Sequence, residues 1–303
     1  MTTLGHSRAE AEMFAPVVAP AILEGLIGAG IQLSRSPGMH EAEAVAQGMR
    51  LTYRLIDLEV LREGAEALPR LLSMAQAAGF AGLNITYPCK QAVIPLLDEL
   101  SPDALALGAV NTVVFADGKR IGHNTDWWGF AESFRRGLPD ASLAHVVQLG
   151  AGGAGSAVAH ALLTLGAKRL AIVDTDRPKA EALAQSLAGR FGAAQVTAQP
   201  DVAIAMTRAS GLVNTTPVGM ARHPGLPLPV EMLSRPIWVA DIVYFPLETA
   251  LLRAARLLGC RTLDGSGMAV FQAVEAFRLF TGRTADAGRM TAAFAALGGP
   301  LPG

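Results

Sequence analysis

The sequence contains little charge and very little cysteine. Asp, Glu, Lys and Arg make up 17% of its 303 residues, and the formal net charge is −1. Because a protein that binds nucleic acid needs a basic surface, we do not expect a nucleic-acid partner. The two cysteines, Cys89 and Cys260, are too few for a disulfide framework or a metal cage, and they fit a reducing cytosol.

Targeting and membrane signals are also missing from the sequence. Its first residues, MTTLGHSRAEAEMF, lack the basic start and the apolar core of a signal peptide. No uninterrupted apolar stretch reaches the length that a membrane-spanning helix needs. Apolar residues, by contrast, make up 51% of the chain, which is enough to bury a large core. These features predict a soluble, cytoplasmic α/β protein with no membrane partner.

The sequence does contain an alternation of strand-like and helix-like segments. In the first half, strands are predicted at residues 25–29, 51–58 and 81–86, helices at 68–80 and 90–100, and a hairpin over 111–124. A second series of strands and helices begins near His145, with strands at 145–150, 169–174, 195–198, 211–216 and 238–244. Two helices, 267–282 and 285–297, follow. Such alternation predicts mostly parallel sheets covered by helices.

One glycine-rich segment indicates a dinucleotide site. The stretch VVQLGAGGAGSAVAHALLTLGA places Gly150, Gly152 and Gly155 in a G-x-G-x-x-G pattern between an apolar strand and a helix. Glycines at these positions allow a tight turn, room for a pyrophosphate, and close packing of helix on strand. Asp174 ends the next strand, nineteen residues after Gly155, at the spacing of the acid that binds the adenosine ribose.

The acid at residue 174 favours NAD over NADP. Its carboxylate can accept hydrogen bonds from the ribose hydroxyls of NAD, and it repels the 2′-phosphate of NADP. Asp176 either adds to that negative charge or caps the following helix. The basic pair Arg177 and Lys179 could offset the repulsion. NAD is therefore the expected cofactor, and NADP is the less favoured alternative.

Polar residues recur where the apolar runs of the first half end. Open α/β sheets bind their ligands at such strand ends, and hydroxyls and amides suit a polyhydroxylated small molecule. The residues concerned are Ser34 and Ser36 in LSRSP, Asn84, Thr86 and Lys90 in LNITYPCK, Asn111 in GAVNTV, and Asn124, Thr125 and Asp126 in GHNTDWWGF.

An alcohol that is oxidised by NAD⁺ must lose a proton as well as a hydride. A lysine beside a cationic nicotinamide loses its charge more easily and can act as the base, and a neighbouring aspartate can orient it. Lys90 and Asp126 are candidates, although their spacing alone cannot pair them. His40 and His123 are alternative bases, but they are more typical of a helix start and a turn. No cluster typical of a metal site occurs.

Taken in order, eight motifs resemble the shikimate/quinate dehydrogenase family over nearly the whole chain. They are SRSP, NITYPCKQ, GAVNTV, GHNTD, GAGGAG, NTTPVGM, DIVYFPLETALL and DGSGMAVFQAVEAF. The resemblance implies an enzyme with its active site between two domains. It also implies reversible oxidation of the ring hydroxyl of shikimate to 3-dehydroshikimate. Quinate is an additional candidate substrate.

The resemblance also implies roles for individual residues. Lys90 and Asp126 look like the catalytic pair. Ser34 and Ser36 would hold the substrate carboxylate with help from Tyr244, and the ring hydroxyls would be bound by Asn84, Thr86, Asn111 and Gln272. The cofactor would contact the glycine loop and the nicotinamide side, comprising Gly150, Gly152, Gly153, Ala154, Gly155, Asp174, Asn214, Thr215, Met220, Gly267 and Met268.

The implied fold is α/β with two domains. Residues 1–125 would form the substrate domain, 126–266 a Rossmann-type dinucleotide-binding domain, and 267–303 helices that return to the substrate domain because Gln272 must reach the cleft. Whether the protein is a monomer or a homodimer stays open.

Two departures from the family pattern bear on function. Asp174-Thr175-Asp176 replaces the Asn-Arg-Thr-like stretch that is common in NADP-using members, and it resembles the NAD-using branch. Trp127 and Trp128 follow the catalytic aspartate where small residues are usual, and they narrow the cleft or, as we favour, pack the linking helix.

Three functions compete. The favoured one is an NAD-preferring dehydrogenase of shikimate, since Ser34 and Ser36 match the all-serine pattern of shikimate-selective members. The others are an NADP-dependent biosynthetic enzyme and a nucleotide-sensing protein without catalysis. Retention of Lys90 and Asp126 argues against the last of these, because a protein that only binds has no need of a positioned base.

Overall fold

The computed structural model describes residues 21–233 and 236–298. The N-terminal stretch inspected for a signal peptide lies outside these residues. Within them, no helix is both long and apolar enough to cross a lipid bilayer. The same residues contain no group of three or more His, Cys, Asp or Glu side chains placed to hold a metal ion.

A mixed six-stranded sheet is built from the first part of the chain. Its spatial order is β2-β1-β3-β5-β6-β4, where the strands are β1 (Ile22–Gly28), β2 (Leu51–Asp57), β3 (Phe80–Ile85), β4 (Glu99–Leu100), β5 (Thr112–Ala116) and β6 (Lys119–His123). Strand β1 pairs in parallel with β2 and β3, whereas β5 is antiparallel to both β3 and β6. The β5–β6 hairpin turns at Asp117 and Gly118, which have φ of 52° and 77° as a tight hairpin turn requires.

Short helices connect these strands. They are α1 (Ser36–Ala46), α2 (Leu58–Leu61), α3 (Leu68–Ala77), α4 (Cys89–Ala92) and α5 (Pro102–Leu107), with 3₁₀ turns at Ala65–Ala67 and Ile94–Leu96. The prediction of one helix over residues 90–100 is wrong, because α4 ends at Ala92 and β4 begins at Glu99. Pro95 explains the break, since proline lacks a backbone donor and disfavours the α conformation in the residue before it.

Helix α6 (Asp126–Gly137) leads into a second sheet, whose six strands are all parallel. The spatial order is β12-β11-β10-β7-β8-β9, where the strands are β7 (Val146–Leu149), β8 (Leu170–Val173), β9 (Val196–Ala198), β10 (Gly211–Asn214), β11 (Trp238–Asp241) and β12 (Arg261–Leu263). The spatial order of the strands reverses at β7, because β8 and β9 lie on one side of it and β10, β11 and β12 lie on the other. A crevice therefore opens beyond the carboxyl ends of β7 and β10.

Four α-helices and a 3₁₀ turn join these strands. They are α7 (Gly153–Thr164), α8 (Arg177–Phe191), α9 (Val202–Met206), α10 (Ala250–Leu257) and the turn at Val230–Met232. The core on one face of this sheet includes Leu162 of α7, Leu170 of β8 and Val213 of β10, each almost fully buried. This layered arrangement of helices over parallel strands is what the alternating pattern predicts.

The last two helices, α11 (Ser266–Thr281) and α12 (Ala287–Ala296), return to the first sheet. Phe280 of α11 lies against Gly82 of β3, where a Cβ would be 2.2 Å from its ring. Helix α11 also crosses α6 closely, because Gly129 has no side chain. A Cβ at this position would lie 2.7 Å from the backbone nitrogen of Gln272. The domain boundaries near residues 126 and 267 stay predictions.

Candidate active site

Lys90 and Asp126 form an ion pair at one end of the first sheet. The Lys90 Nζ atom lies 2.6 Å from Oδ2 of Asp126, and the two side chains are 24% and 7% exposed. Lys90 is in the short helix after β3, and Asp126 is the first residue of α6, which follows β6. Because β3 and β6 both flank β5, their ends bring together two residues that are distant in sequence.

Asn111 fixes the aspartate of this pair. Its Nδ2 atom donates to Oδ1 of Asp126 over 2.9 Å, and its Oδ1 atom accepts from the backbone nitrogen of Thr125 over 2.7 Å. Asn124 accepts from the Asp126 backbone nitrogen over 3.1 Å, which fixes the start of α6. The Asn111 amide also lies 3.3 Å from Oε1 of Gln272, so α11 does reach this group of residues.

A second set of hydrogen bonds extends the group toward β2. Asn84 Nδ2 donates to Thr112 Oγ1 over 3.0 Å, and Thr112 Oγ1 in turn lies 3.1 Å from Asn111 Oδ1. On its other side, Asn84 Oδ1 accepts from the Tyr53 hydroxyl over 2.8 Å. Sequence reasoning did not find Tyr53 or Thr112. No signal in the sequence marks Tyr53, because β2 is only partly buried and the partner of the tyrosine lies in another strand, β3.

The two serines lie together where the loop after β1 enters α1: Ser34 is in the loop, and Ser36 is the first residue of the helix. The Ser34 and Ser36 hydroxyls are 3.3 Å apart, and the backbone nitrogen of Ser36 also points at the Ser34 hydroxyl. This loop is held by Asp57, whose carboxylate accepts from the backbone nitrogens of Gly30 and Ile31, each over 3.0 Å. Asp57 is a further residue that the sequence did not reveal.

The charge on Asp57 is what makes it an effective loop anchor. Burial raises the pKa of its carboxyl, but hydrogen bonds from Gln32 and from three backbone N–H groups outweigh this and lower the pKa below its usual value. The carboxylate therefore stays ionised and accepts these bonds at full strength.

Two further residues predicted to bind substrate, Tyr244 and Thr86, have contacts of their own. The Tyr244 ring, 48% exposed, contacts Phe294 of α12 at 6.5 Å between ring centroids. The guanidinium of Arg35, between the two serines in sequence, stacks 4.4 Å from the centre of that same Phe294 ring. The half-buried Thr86 follows β3 and lies against Gly28, where a Cβ would be 2.2 Å from its methyl group.

The glycine loop after β7 presents open backbone. Gly150 has φ of +100°, and a Cβ there would lie 2.7 Å from the Thr215 hydroxyl. A Cβ on Gly155 would lie 2.5 Å from the Gly150 carbonyl oxygen. Gly152 and Gly153, in contrast, face open space, and no side chain caps the start of α7. Free N–H groups at Gly153 and Ala154 thus form a cradle that suits a phosphate.

Buried side chains hold that loop in shape. Gln148 of β7 donates to the carbonyl oxygens of Gly150 and Gly155 over 2.8 and 2.9 Å. Thr215 donates to the carbonyl oxygen of Leu149 over 2.8 Å and lies 3.0 Å from that of Gly150. The role of Gln148 was not visible in the sequence, because its partners follow it in a turn of undefined shape.

Asp174 lies at the end of β8, beside the glycine loop. Its Oδ2 atom accepts from the Ala151 nitrogen over 2.7 Å, and its Oδ1 atom accepts from the Asp176 nitrogen over 2.8 Å. Asp176 is the N-cap of α8 and bonds the Lys179 backbone nitrogen, with its carboxylate 3.1 Å from Lys179 Nζ. Of the two roles considered for Asp176, the structure therefore shows the helix cap.

Asn214 shapes the loop that follows β10. Its amide nitrogen donates to the Val218 carbonyl oxygen over 2.9 Å and to Oδ1 of Asp241 over 3.0 Å. Its oxygen accepts from the Thr216 backbone nitrogen and hydroxyl over 3.1 and 2.7 Å. The side chain is thus bonded within the protein and anchors the loop, and its place beside the cofactor stays a prediction. The loop carries Met220, which is 40% exposed.

Asp241 is a buried carboxyl that sequence reasoning missed. It is 1% exposed, and besides Asn214 it accepts from the Val243 nitrogen over 3.1 Å and from the Thr249 hydroxyl over 2.8 Å. Burial raises its pKa from an ordinary 3.8 to about 6, although these hydrogen bonds oppose the shift. The carboxyl ties β10 and β11 to the start of α10.

Gly267 and Met268 contact α6 and the core under the second sheet. A Cβ on Gly267 would lie 2.1 Å from the Ser133 hydroxyl, and Met268 packs on the edge of the second core. Their predicted place beside a nicotinamide stays a prediction.

Two histidines considered as bases have other surroundings. His40 is fully buried, and its Nδ1 atom lies 2.5 Å from Oε2 of Glu24. His123 lines a small cavity of about 80 Å³ with Trp127 and Trp128, and burial lowers its pKa.

The tryptophans pack edge-on against neighbouring rings, in agreement with the favoured interpretation. The Trp127 ring meets His160 at 5.2 Å between centroids, and Trp128 meets Phe271 at 6.4 Å. These contacts hold α6 between α7 and α11.

Two segments of the chain match known families. Residues 26–113 match the shikimate dehydrogenase substrate binding domain, and residues 265–293 match the shikimate 5′-dehydrogenase C-terminal domain. A shikimate dehydrogenase (NADP(+)) of Streptomyces avermitilis is 61% identical over 91% of this chain and 96% of its own length. A quinate/shikimate dehydrogenase (NAD(+)) of Corynebacterium efficiens is 52% identical over 91% of this chain and 99% of its own.

Solved structures give the same result. The quinate dehydrogenase from Corynebacterium glutamicum in complex with NAD has 50% identity and a TM-score of 0.86, and the match covers 91% of this chain and 99% of that one. The shikimate 5-dehydrogenase from Thermus thermophilus in complex with NADP(H) and shikimate has 35% identity and a TM-score of 0.81, with the same coverage. Both the predicted resemblance and the predicted fold class are confirmed.

Proposed function

Since this chain belongs to the shikimate dehydrogenase family, we propose that it oxidises the ring hydroxyl of shikimate to 3-dehydroshikimate, reversibly and with NAD as the preferred cofactor. Quinate is proposed as a second, poorer substrate. The observation that carries this proposal is the Lys90–Asp126 pair, 2.6 Å apart and joined to a row of amides and hydroxyls. These groups suit a polyhydroxylated carboxylate.

The proposed proton transfer uses only this pair. When bound, NAD⁺ supplies the hydride acceptor. The Lys90 amine, in its neutral form, takes the proton of the hydroxyl whose carbon is oxidised, and the ammonium that results is stabilised by Asp126. Asn111 bonds the other carboxylate oxygen, so Asp126 keeps its orientation while the charge on Lys90 changes. In the reverse direction, the ammonium returns the proton to the carbonyl oxygen.

The glycine loop fits a dinucleotide. Gly152 and Gly153 face open space at the uncapped start of α7, where free N–H groups and the helix dipole attract a pyrophosphate. Asp174, at the end of β8, would accept the hydroxyls of the adenosine ribose. Asn214 and Thr215 would act from beneath, by shaping the loops on which the cofactor rests.

The charge at Asp174 supports NAD as the preferred cofactor. A 2′-phosphate beside this carboxylate would be repelled, and a phosphate cannot donate the hydrogen bond that a ribose hydroxyl gives. Lys179 is held by Asp176, and Arg177 is the other basic residue of this segment that would attract a phosphate. The relatives include both NADP- and NAD-named enzymes, so their names do not decide the preference.

The serine pair supports shikimate over quinate. Quinate carries an additional hydroxyl beside its carboxylate, and a site that binds it well must satisfy one more polar group. The Ser34 and Ser36 hydroxyls lie 3.3 Å apart and already bond to each other. We therefore expect a higher kcat/KM for shikimate.

One assay separates the candidate functions. Reduction of NAD⁺ and of NADP⁺ is followed by ultraviolet absorbance with shikimate and then with quinate. We expect the highest kcat/KM for shikimate with NAD⁺. A preference for NADP⁺, the cofactor that stands in the name of the Streptomyces relative, would identify the NADP-dependent alternative. Binding of a dinucleotide without turnover of either substrate would identify a nucleotide sensor.

A further inference from the structure

Tyr53 spans three strands beneath the proposed substrate site. It lies in β2 opposite Glu24 of β1, while Asn84 of β3 lies opposite Leu26 of β1. The two outer strands are separated by roughly 10 Å, and the long tyrosine side chain reaches across β1 to close that distance. Its hydroxyl ends 2.8 Å from Oδ1 of Asn84, and the residue is 4% exposed.

This contact determines which hydrogen bond Asn84 can offer to a ligand. An asparagine side chain has two N–H donors and two acceptor positions on its oxygen. Both donors point at protein atoms, Thr112 Oγ1 at 3.0 Å and the Asn111 carbonyl oxygen at 3.4 Å. The Tyr53 hydroxyl occupies one acceptor position. What remains is a single acceptor position on Oδ1, so a substrate hydroxyl bound here must donate.

The surroundings keep the Tyr53 hydroxyl in place as a donor. Burial and the neighbouring Glu24 carboxylate raise its pKa well above the usual value, and a hydrogen bond with Ser36 opposes this shift only in part. The ring packs 5.0 Å from His40, which is itself tied to Glu24. The hydroxyl therefore keeps its proton and donates a hydrogen bond to Asn84 of the proposed substrate site.

We propose that Tyr53 is a positioning residue for the substrate: it fixes the amide of Asn84 so that Oδ1 accepts from a ring hydroxyl. This inference rests on the proposed function, because it assigns Asn84 to the polyhydroxylated substrate. Tyr53 does not contact the reacting atoms. It sets the affinity for substrate, and the proton-transfer step at Lys90 is independent of it.

The test is a kinetic cycle with Tyr53→Phe, Asn84→Ala and the double variant. Phenylalanine keeps the ring and removes only the hydroxyl. We expect KM for shikimate to rise about 5-fold in Tyr53→Phe, as the loss of one buried hydrogen bond implies, with kcat within 2-fold and KM for NAD unchanged. In the Asn84→Ala background the same change should have no further effect on KM. The matched control is Tyr87→Phe, which removes a hydroxyl from a residue that is 77% exposed.

Several outcomes would overturn the inference. They are an unchanged KM in an active Tyr53→Phe enzyme, a KM effect that persists in the Asn84→Ala background, or an equal effect in Tyr87→Phe. A purely structural role would lower the melting temperature without this selective change in KM. Should Tyr53→Phe fail to fold, Thr112→Val frees the other end of the same amide and should raise KM by a factor that again vanishes with Asn84→Ala. If the wild-type enzyme turned over neither shikimate nor quinate, both the proposed function and the inference on Tyr53 would be overturned.

Discussion

The two sides of the proposed active site hold their polar groups by different means. In the group around Lys90, on the side of the mixed sheet, most of the contacts join one side chain to another, as in those of Asn111 with Asp126 and of Asn84 with Thr112. Around the glycine loop, on the side of the parallel sheet, side chains bond to the backbone of the loop, as Gln148 does with Gly150. The first arrangement fixes functional groups, and the second fixes the shape of a backbone surface.

This difference fits the two ligands that we propose. A small polyhydroxylated substrate is recognised by individual donors and acceptors, so each side chain must be held at one orientation. A pyrophosphate is recognised by backbone N–H groups and a helix dipole, so the loop must be held and the side chains can stay beneath it. Substitutions on the two sides should therefore have separable effects.

The largest effect is expected at Lys90. Replacement by alanine removes the proposed base, and kcat should fall by roughly 10²-fold or more, as is typical when a general base is lost. Binding of NAD, measured by calorimetry, should survive because the glycine loop is untouched. Lys119→Ala is the control, since Lys119 is an exposed lysine that also pairs with a carboxylate, Glu99. Turnover near the wild-type rate in Lys90→Ala would remove this residue from the mechanism.

A second effect is expected in stability, at Asp241. Its pKa is about 6 in the folded protein and 3.8 ordinarily, so between these values the folded chain holds a proton that the unfolded chain has released. The free energy of unfolding should therefore fall as pH rises from 4 to 6, by at most about 3 kcal/mol from this group. Asp241→Asn should remove that part of the slope.

Denaturant unfolding at several pH values measures this slope. Asp201→Asn is the control, because Asp201 caps α9 at the surface and the slope should persist when it is replaced. Equal slopes in wild type and Asp241→Asn would show that Asp241 does not titrate in this range.

A smaller, more selective effect is expected at Asp174. Alanine removes the acceptor of the ribose hydroxyls and the charge that repels a 2′-phosphate, so the ratio of kcat/KM for NAD to that for NADP should drop by tens-fold. The constants for shikimate at saturating cofactor should change little, because Asp174 belongs to the other side of the site. An unchanged cofactor ratio would mean that this carboxylate only binds Ala151 and Asp176.

Much of the fold could be predicted from local pattern. The glycine motif, the strand before it and the acid at the end of the next strand all follow in order within a short segment. They can therefore be recognised from the local sequence alone. The prediction of one helix over residues 90–100 is wrong, although Pro95 was visible in the sequence. The periodic pattern of apolar residues outweighed the proline in that prediction.

The site was harder to predict, because its contacts join distant segments. Lys90 and Asp126 could be named as candidates but not paired without the resemblance to a family. Tyr53 and Asp241 could not be found, since their partners, Asn84 and Asn214, lie in other strands. The pairing register of the strands and the burial of each side chain decide such contacts, and neither can be predicted from the local sequence.

The most direct test of this account is the cofactor preference of the wild-type enzyme during oxidation of shikimate. Steady-state kcat/KM is measured for NAD⁺ and NADP⁺ at saturating shikimate and fixed ionic strength. We expect NAD⁺ to be favoured by at least about tenfold, because each ~1.4 kcal/mol of difference is tenfold and Asp174 acts by both attraction and repulsion. Equal use of the two cofactors, or a preference for NADP⁺, would contradict it.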